Sequence, residues 1–228
     1  MTKRGKDSLS LKYGILGFLS EWPGASGYDL KKEFDTFMNP FWHTHLSQIY
    51  PELNHLEEKE LVHSEMIEQT AKPDKKIYTI TKEGRDYLRD WLSSSPQSPK
   101  IKEAFLMRSF FLDNVTADEA IFQLQLYKKR REDRLKNMKK TLKRRLTEIK
   151  DENAALTPRI LMITSVYKKG LDEEKGFIRW CEDTIKLVQH YKDLWKKENR
   201  EGDDILLNHD SLKDAPKWFV ELIDEIND

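Results

Sequence analysis

This chain of 228 residues has almost no cysteine and no long apolar run. Its one cysteine, Cys181, cannot form an internal disulfide, and its place between Trp180 and Ile185 on an apolar helix face predicts a buried thiol. The mean hydropathy is -0.77, and no apolar run approaches the roughly twenty residues of a membrane helix. The first residues also lack the apolar segment of a secretory signal, so we expect a cytoplasmic protein without a membrane span.

The signatures of common catalytic and metal sites are missing as well. The sequence has no HExxH or CxxC spacing, no glycine-rich phosphate loop, and no Ser-His-Asp or paired-carboxylate pattern. His43, His45, His55 and His63 cluster in sequence, but no carboxylate or cysteine stands at ligand spacing from them. We therefore predict no catalytic residue, no metal site and no cofactor, and we expect that the protein is not an enzyme.

Neither sign of charge is in excess, because 40 Lys and Arg balance 40 Asp and Glu. This balance hides a strong sorting of charge along the chain. Residues 96–150 carry 15 basic and 7 acidic residues, a balance of +8, whereas residues 201–228 carry 2 and 9, a balance of -7. Charged residues are 35% of the total, which favours small domains and long exposed helices over one large core.

The first 95 residues contain patterns typical of helices and of one β-hairpin. Apolar residues at helical spacing predict a helix that ends at Pro23, and Ser26 with Asp29 predicts the capping box of a second helix. The runs LVHSEMIEQ and KKIYTIT predict a hairpin with an exposed tip. Thr81 should cap a later helix, before the linker SSSPQSP, and this helix is predicted to bury Tyr87, Leu88, Trp91 and Leu92.

A further helix in this region contains a proline, Pro51. Proline is tolerated in about the first turn of a helix, so the helix should begin between Thr44 and Ser47. Its polar N-terminal end would then be exposed while Leu53 and Leu56 face the core. Three helices, a hairpin and a closing helix predict a winged helix-turn-helix domain over residues 1–95.

The chain beyond the linker is predicted to be almost entirely helical. Thr116 and Glu119 form a capping box for a long helix that runs to about Asn153, and Pro158 opens another long helix. Each carries a narrow apolar stripe that one helix pair cannot cover alone. We therefore expect residues 96–200 to form a helical domain that makes a homodimer, which gives a mainly α fold overall.

Several segments in this order resemble the PadR family of bacterial transcriptional regulators. They are LKYGILGFL, SGYDL, FWHTHLSQIYPELNHLEEKELV, KKIYTIT, GRDYLRDWL and IKEAFLMRSFF, and with the two long helices the likeness covers roughly residues 9–200. The long helices are similar to the C-terminal domain of the larger subfamily. The resemblance implies a dimeric DNA-binding protein, usually a repressor, and in some members an aromatic acid or another small molecule binds near the domain junction and releases the DNA.

The resemblance makes the start of the Pro51 helix a candidate recognition element for double-stranded DNA. Gln48 can donate and accept hydrogen bonds together, which suits adenine, whereas Ser47 and Tyr50 suit phosphate. His43 and His45 are further candidates there. The hairpin tip and the N-terminus supply candidate phosphate contacts, which are Lys72, Lys75, Lys76, Lys3, Arg4 and Lys6. Each of these residues could instead be an ordinary solvated side chain.

Aromatic residues beside the linker are candidates for a small aromatic effector. They are Trp91, Phe105, Phe110 and Tyr127, which could equally be ordinary core. An alternative function is a protein-protein interaction module that uses the basic run from Lys128 to Arg145, in which case the winged helix would be vestigial.

The acidic extension, residues 201–228, contains a second amphipathic pattern. Its apolar positions predict a short helix, capped by Ser211 or Asp214, that docks on the dimerisation helices with its carboxylates along the basic Lys128 to Arg145 face. The alternative is a loose terminus that only adds solubility. The apolar positions are Pro216, Trp218, Phe219, Leu222, Ile223 and Ile226.

Overall fold

The structure is a computed structural model that describes residues 4–68, 74–96, 103–151, 155–195 and 212–227. Lys3, Lys72, the last three residues of the linker and the residues before Leu212 in the acidic extension, including Ser211, lie outside the described residues. The chain forms two compact units, Met1–Pro99 and Lys100–Asp228, and each is described by itself. Within the described residues no helix has the length and apolar character needed to cross a membrane.

The first unit is a winged helix-turn-helix, as the sequence predicts. Strands β1 and β2 pair antiparallel, with Val62 opposite Ile80 and Ile67 opposite Lys75. A π-helical turn, Phe34–Met38, follows α2. The elements are α1 Arg4–Glu21, α2 Gly27–Glu33, α3 Leu46–Glu58, β1 Val62–Ile67, β2 Lys75–Ile80 and α4 Lys82–Ser93.

One hydrophobic core joins the helices of the first unit to its hairpin. The buried side chains recur every three or four residues on the helices, and β2 adds Tyr78 and Ile80. Burial of each such side chain contributes about 1.5–3 kcal/mol, so this core is the main stabilising contact of the unit. Its helical members are Leu11, Ile15, Leu16, Phe18, Leu19, Leu30, Phe34, Ile49, Leu53 and Leu56.

The predicted caps of the first unit form. The Ser26 hydroxyl accepts from the Asp29 N–H at 3.2 Å, while Asp29 Oδ2 accepts from the Ser26 N–H at 2.9 Å. Thr81 Oγ1 accepts from the Gly84 N–H at 3.0 Å. A Cβ on Gly84 would lie 2.1 Å from the Leu61 carbonyl oxygen, so this position requires glycine.

The predicted burial of α4 is wrong at its C-terminal end. Tyr87 and Leu88 are half-buried, but Trp91 and Leu92 are exposed. The last turn of α4 extends past the core, where the Trp91 indole stacks on the Tyr13 ring with centroids 4.1 Å apart. Periodicity alone shows which residues share a helix face but not where the neighbouring core ends.

The second unit is an antiparallel pair of long helices with shorter elements around it. Helix α6 has 35 residues and is therefore about 52 Å long. Asp118 near its start pairs with Lys192 after α7, and Arg131 pairs with Glu174, which fixes the antiparallel arrangement. The elements are α5 Ala104–Ser109, a 3-10 turn Leu112–Asn114, α6 Ala117–Asp151, α7 Pro158–His190, a 3-10 turn Lys192–Trp195 and α8 Lys217–Asn227.

Local sequence signals also set the helix starts of the second unit. Thr116 and Glu119 form the predicted capping box, with 2.9 and 3.2 Å hydrogen bonds, and Pro158 follows the cap residue Thr157. Cys181 is fully buried as predicted, and burial raises the pKa of its thiol to about 11. This thiol is therefore protonated and inaccessible near neutral pH.

The C-terminal helix contacts its own chain at one end of the helix pair, and the placement of its carboxylates along the basic Lys128 to Arg145 face stays a prediction. Phe219 of α8 lies against Tyr191, with ring centroids 6.2 Å apart, at the end of the helix pair where Asp118 lies. The basic run from Lys128 to Arg145 does not form a single solvated face. Arg131 is only 7% exposed, and Lys128 pairs with Glu182 across the helix pair at 3.1 Å.

Candidate nucleic-acid interface

The N-terminal end of α3 gathers the predicted recognition residues on one exposed surface. Ile49, Leu53 and Leu56 anchor the helix in the core, so positions 47, 48 and 50 of its first turns face outward. Thr44 is buried just before the helix. The exposed set is His43, His45, Ser47, Gln48 and Tyr50.

Pro51 lies in the second turn of α3, not in the first turn as the sequence interpretation assumed. Helix α3 begins at Leu46, within the predicted range from Thr44 to Ser47, so Pro51 is its sixth residue and has no N–H to donate to the Ser47 carbonyl. Both residues are exposed, so water or a ligand can satisfy that carbonyl. The Ser47 carbonyl is therefore a further hydrogen-bond acceptor next to the candidate recognition side chains.

Gln48 has a structural role that restricts what it can recognise. Its side-chain oxygen Oε1 accepts from the His45 backbone N–H at 3.0 Å and from Thr44 Oγ1 at 3.4 Å. A backbone N–H can only donate, so the amide oxygen must face it and the Nε2 group must face away. Gln48 can then donate to guanine N7 or O6, thymine O4 or a phosphate. The predicted bidentate contact with adenine would require the capping bond to open.

Tyr50 is positioned by close packing between α2 and α3. A Cβ on Gly27, the first residue of α2, would lie 2.6 Å from Tyr50 Cε1. The neighbouring Tyr28 is 66% exposed. Tyr28 is thus a candidate phosphate contact that sequence reasoning missed, and the signal was its position on the first turn of a helix, where anions bind.

Replacing Gly27 by alanine should move the Tyr50 ring and weaken DNA binding with little loss of stability. Only the end of one side chain must shift, so we expect the unfolding free energy to change by less than about 1 kcal/mol. DNA affinity should fall about tenfold, the equivalent of one lost contact of about 1.4 kcal/mol. Titration of a labelled duplex and urea unfolding measure the two effects.

Gly17→Ala is the matched control, since a Cβ on Gly17 would meet no atom within 4 Å. We expect it to leave DNA affinity unchanged and to raise stability by about 0.5–1 kcal/mol. If Gly27→Ala bound DNA like Gly17→Ala, Tyr50 would have no part in the interface.

Two of the lysines predicted at the tip of the wing, which is the β1–β2 hairpin, are held in ion pairs. Lys75 Nζ lies 2.8 Å from Asp29 Oδ2, and Lys76 Nζ lies 2.9 Å from Glu57 Oε2 and over the Tyr78 ring. Lys72 lies outside the described residues. These pairs join the wing to α2 and α3. Both lysines therefore help to fix the position of the wing in the DNA-free protein.

The carboxylates in these pairs are stabilised in their charged form. Burial acts to raise the pKa of Asp29, but hydrogen bonds from Lys75 and Ser26 outweigh it and hold that pKa below its usual value. Hydrogen bonds from Ser64 and Lys76 lower the pKa of Glu57. Both carboxylates therefore remain charged at neutral pH and partly neutralise the wing.

The four candidate effector residues are divided between the two units. In the second unit Phe105 and Tyr127 stack with centroids 3.9 Å apart, while Phe110 is 80% exposed. Trp91 belongs to the first unit, where it stacks on Tyr13. Phe177 and Trp180 complete the aromatic cluster around Phe105 and Tyr127, and neither was among the candidate effector residues from the sequence.

A buried charge network lies beside that aromatic cluster. The Arg131 guanidinium lies over the Phe177 ring at 4.0 Å and over the Tyr127 ring at 4.8 Å. It donates to both oxygens of Glu174, at 3.2 and 3.3 Å, and to Glu103 at 2.6 Å. Rings and a guanidinium could hold an aromatic carboxylate, but such a ligand would have to compete with Glu174 and Glu103 for Arg131.

Comparisons with known proteins identify this architecture. Residues 15–90 match the Transcriptional regulator PadR-like family, and residues 101–189 match a family described as Virulence activator alpha C-term. The negative transcriptional regulator PadR of Bacillus subtilis (strain 168) is 30% identical over 181 residues, which span 78% of this chain and 97% of that protein. The chain belongs to the PadR family of transcriptional regulators.

Solved structures of PadR agree with the fold described above. The crystal structure of Bacillus subtilis PadR in complex with operator DNA is similar with a TM-score of 0.68 and 27% identity, over 78% of this chain and 99% of that one. The crystal structure of the same protein in complex with p-coumaric acid is similar with a TM-score of 0.63 and 27% identity, over 78% and 98% of the two chains.

Proposed function

We propose that this PadR-family protein is a repressor that binds a palindromic operator as a homodimer. The observation that carries the proposal is the exposed N-terminal end of α3, where Ser47, Gln48 and Tyr50 project from a rigid winged helix. The similar structure with operator DNA supports a DNA ligand. The description of the relative as a negative regulator supports repression.

The first unit binds DNA through direct contacts more than through net charge. Residues 1–95 carry 13 basic and 15 acidic residues, so non-specific attraction to phosphate is weak. The Nε2 group of Gln48 donates to a base edge in the major groove, and the Ser47 and Tyr50 hydroxyls and the α3 N-terminus hold phosphates. A dimer doubles these contacts on a palindrome.

The second unit supplies the dimer interface. Large apolar side chains remain exposed on α5, just after α5, and on α6 and α7, and a second copy would cover them. We propose that this surface, and not the winged helix, joins the protomers. Its exposed members include Met107, Phe110, Phe111, Phe122, Leu126, Leu161, Met162 and Val166.

A small aromatic acid is the proposed effector that releases the operator. Its site would use Phe105 and Tyr127 of the second unit, with Phe110 of the same unit as a further candidate. The relative solved with p-coumaric acid supports this ligand class. An aromatic acid should raise the melting temperature of the free protein and lower its affinity for the operator. An operator complex that responds to no member of a panel of aromatic acids would reject this part of the proposal.

Selection of bound duplexes from a random pool tests the function directly. The proposal predicts enrichment of a palindrome whose half-sites lie about one helical turn, 10–10.5 base pairs, apart. Enrichment of an asymmetric sequence, or of none, would reject operator binding by a symmetric dimer. Light scattering on the same sample measures whether the protein is dimeric.

Removal of Lys75 should weaken binding to every duplex alike. Lys75→Ala removes a wing charge and leaves Asp29 without its ammonium partner, so we expect the logarithm of affinity to depend less steeply on salt, with a slope smaller by about 1. Lys82→Ala is the control, because Lys82 lies on α4 in a similar exposed pair with Asp86. Equal slopes for both variants would show that Lys75 has no special contact with phosphate.

A further inference from the structure

Helix α8 contacts its own chain near its start, but the later part of the same apolar side leaves one edge uncovered. Phe219 lies against Tyr191, but Leu222 is 44% and Ile226 is 72% exposed. These two residues are four apart and share an edge of the helix, and Glu225 lies beside them. Asp224 lies on the far side of the helix from Leu222. The free edge therefore combines apolar and acidic side chains.

A surface on α6 has the opposite charge. Lys136, Lys139, Lys140 and Lys143 are exposed along one side of the helix and are defined here as the lysine stripe. In the part of the chain that the structure describes, no carboxylate lies within 4 Å of these four lysines. Leu146 is exposed beside Lys143, so the stripe also offers an apolar contact.

The α8 helix cannot reach the lysine stripe of its own chain. Asp118 marks the end of α6 that lies near Tyr191, and Lys136 is 18 residues, or about 27 Å, further along the helix. Only about 10 Å of helix separates Phe219 from Ile226. While Phe219 contacts Tyr191, the free edge must find its partner on another molecule.

We propose that the free edge of α8 docks on the lysine stripe of a second copy. Leu222 and Ile226 of one protomer would cover Leu146 of the other protomer, and Glu225 would pair with Lys143 of the other protomer. The two surfaces are thus complementary in both apolar character and charge. The inference rests on the homodimer of the proposed function and adds a contact to it. The family match ends at residue 189, and α8 lies after it. The proposed contact therefore uses a helix that the family match does not include.

Disulfide trapping in the full-length protein tests the contact. The variant with Glu225→Cys and Lys143→Cys should give a covalent dimer on a non-reducing gel after mild oxidation. The control pairs Asp224→Cys with Lys143→Cys, and its trapped fraction should be at least about fivefold smaller, because cysteines that point apart cannot bridge. Cys181 is buried and does not compete.

Light scattering before oxidation separates the possible failures. A monomer would reject both the homodimer and this inference. If the protein is a dimer in solution, the inference alone would be overturned by the absence of a trapped product, by equal trapping in both variants, or by a disulfide that forms within one chain.

Charge reversal gives a second, independent test. Glu225→Lys and Lys143→Glu should each lower the melting temperature, and the double variant should restore it. Failure of the double variant to recover would also overturn the inference. If Lys143→Glu weakened only operator binding, the stripe would serve DNA instead of α8.

Discussion

Replacing Glu174 by alanine should lower the free energy of unfolding by about 3 kcal/mol, because it leaves a buried guanidinium without its main counter-ion. Glu174 is 2% exposed and Arg131 7% exposed, so water cannot replace the lost contact without entering the helix pair. Arg134 also loses a partner, since its Nε lies 3.2 Å from Glu174 Oε1. Glu103 and the Tyr127 hydroxyl still accept from Arg131, which keeps the loss near the low end of the usual range.

The neighbouring Glu173→Ala variant provides the matched control. Glu173 is in the same helix and makes the same kind of ion pair, with Lys169 at 2.9 Å, but both side chains are exposed. Its replacement should change stability by no more than about 0.5 kcal/mol. Urea unfolding of the two variants measures the difference, and equal losses would show that burial does not govern the strength of the Arg131 pair.

Gln48→Glu should abolish discrimination at the base pair that Gln48 contacts in each half-site, while keeping or raising the stability of the first unit. Glutamate retains an oxygen that can accept the His45 N–H, and its charge near a helix N-terminus stabilises by about 0.3–1 kcal/mol. The variant loses the Nε2 donor and brings a carboxylate toward acceptors on the base edge. We expect a loss of at least about 1–3 kcal/mol in operator binding.

Gln48→Ala separates the two roles of this residue, because it removes the cap and the donor together. It should lose discrimination at one base pair per half-site and also some stability. Melting temperatures and titrations against the operator and single-base variants measure these effects. If Gln48→Glu bound the operator as tightly as the parent protein, Gln48 would be only a helix cap.

Features set by residues close in sequence could be predicted from the sequence. The capping boxes at Ser26 and Thr116, the hairpin, the long helices and the buried thiol of Cys181 follow from local spacing and periodicity. The exposed end of α3 was also predictable, because Leu53 and Leu56 fix which side faces the core.

Features that depend on contacts between distant residues could not be predicted in this way. The pairs Lys75–Asp29 and Arg131–Glu174 join residues 46 and 43 positions apart, and no spacing rule selects them from 80 charged residues. The role of Gln48 as a cap was missed for a different reason. Its i to i+3 spacing from His45 is a helix-start signal, but histidine is not among the common N-cap residues.

Site-directed DNA cleavage from the end of α3 tests the central claim most directly. Ser47 is exposed and Cys181 is buried, so a cleavage reagent coupled to Ser47→Cys would label one site per protomer. Bound to the selected operator, the labelled dimer should cut at two positions placed symmetrically about the centre and about one helical turn apart. Uniform cleavage along the duplex, or a single cut site, would contradict recognition of a palindrome by α3.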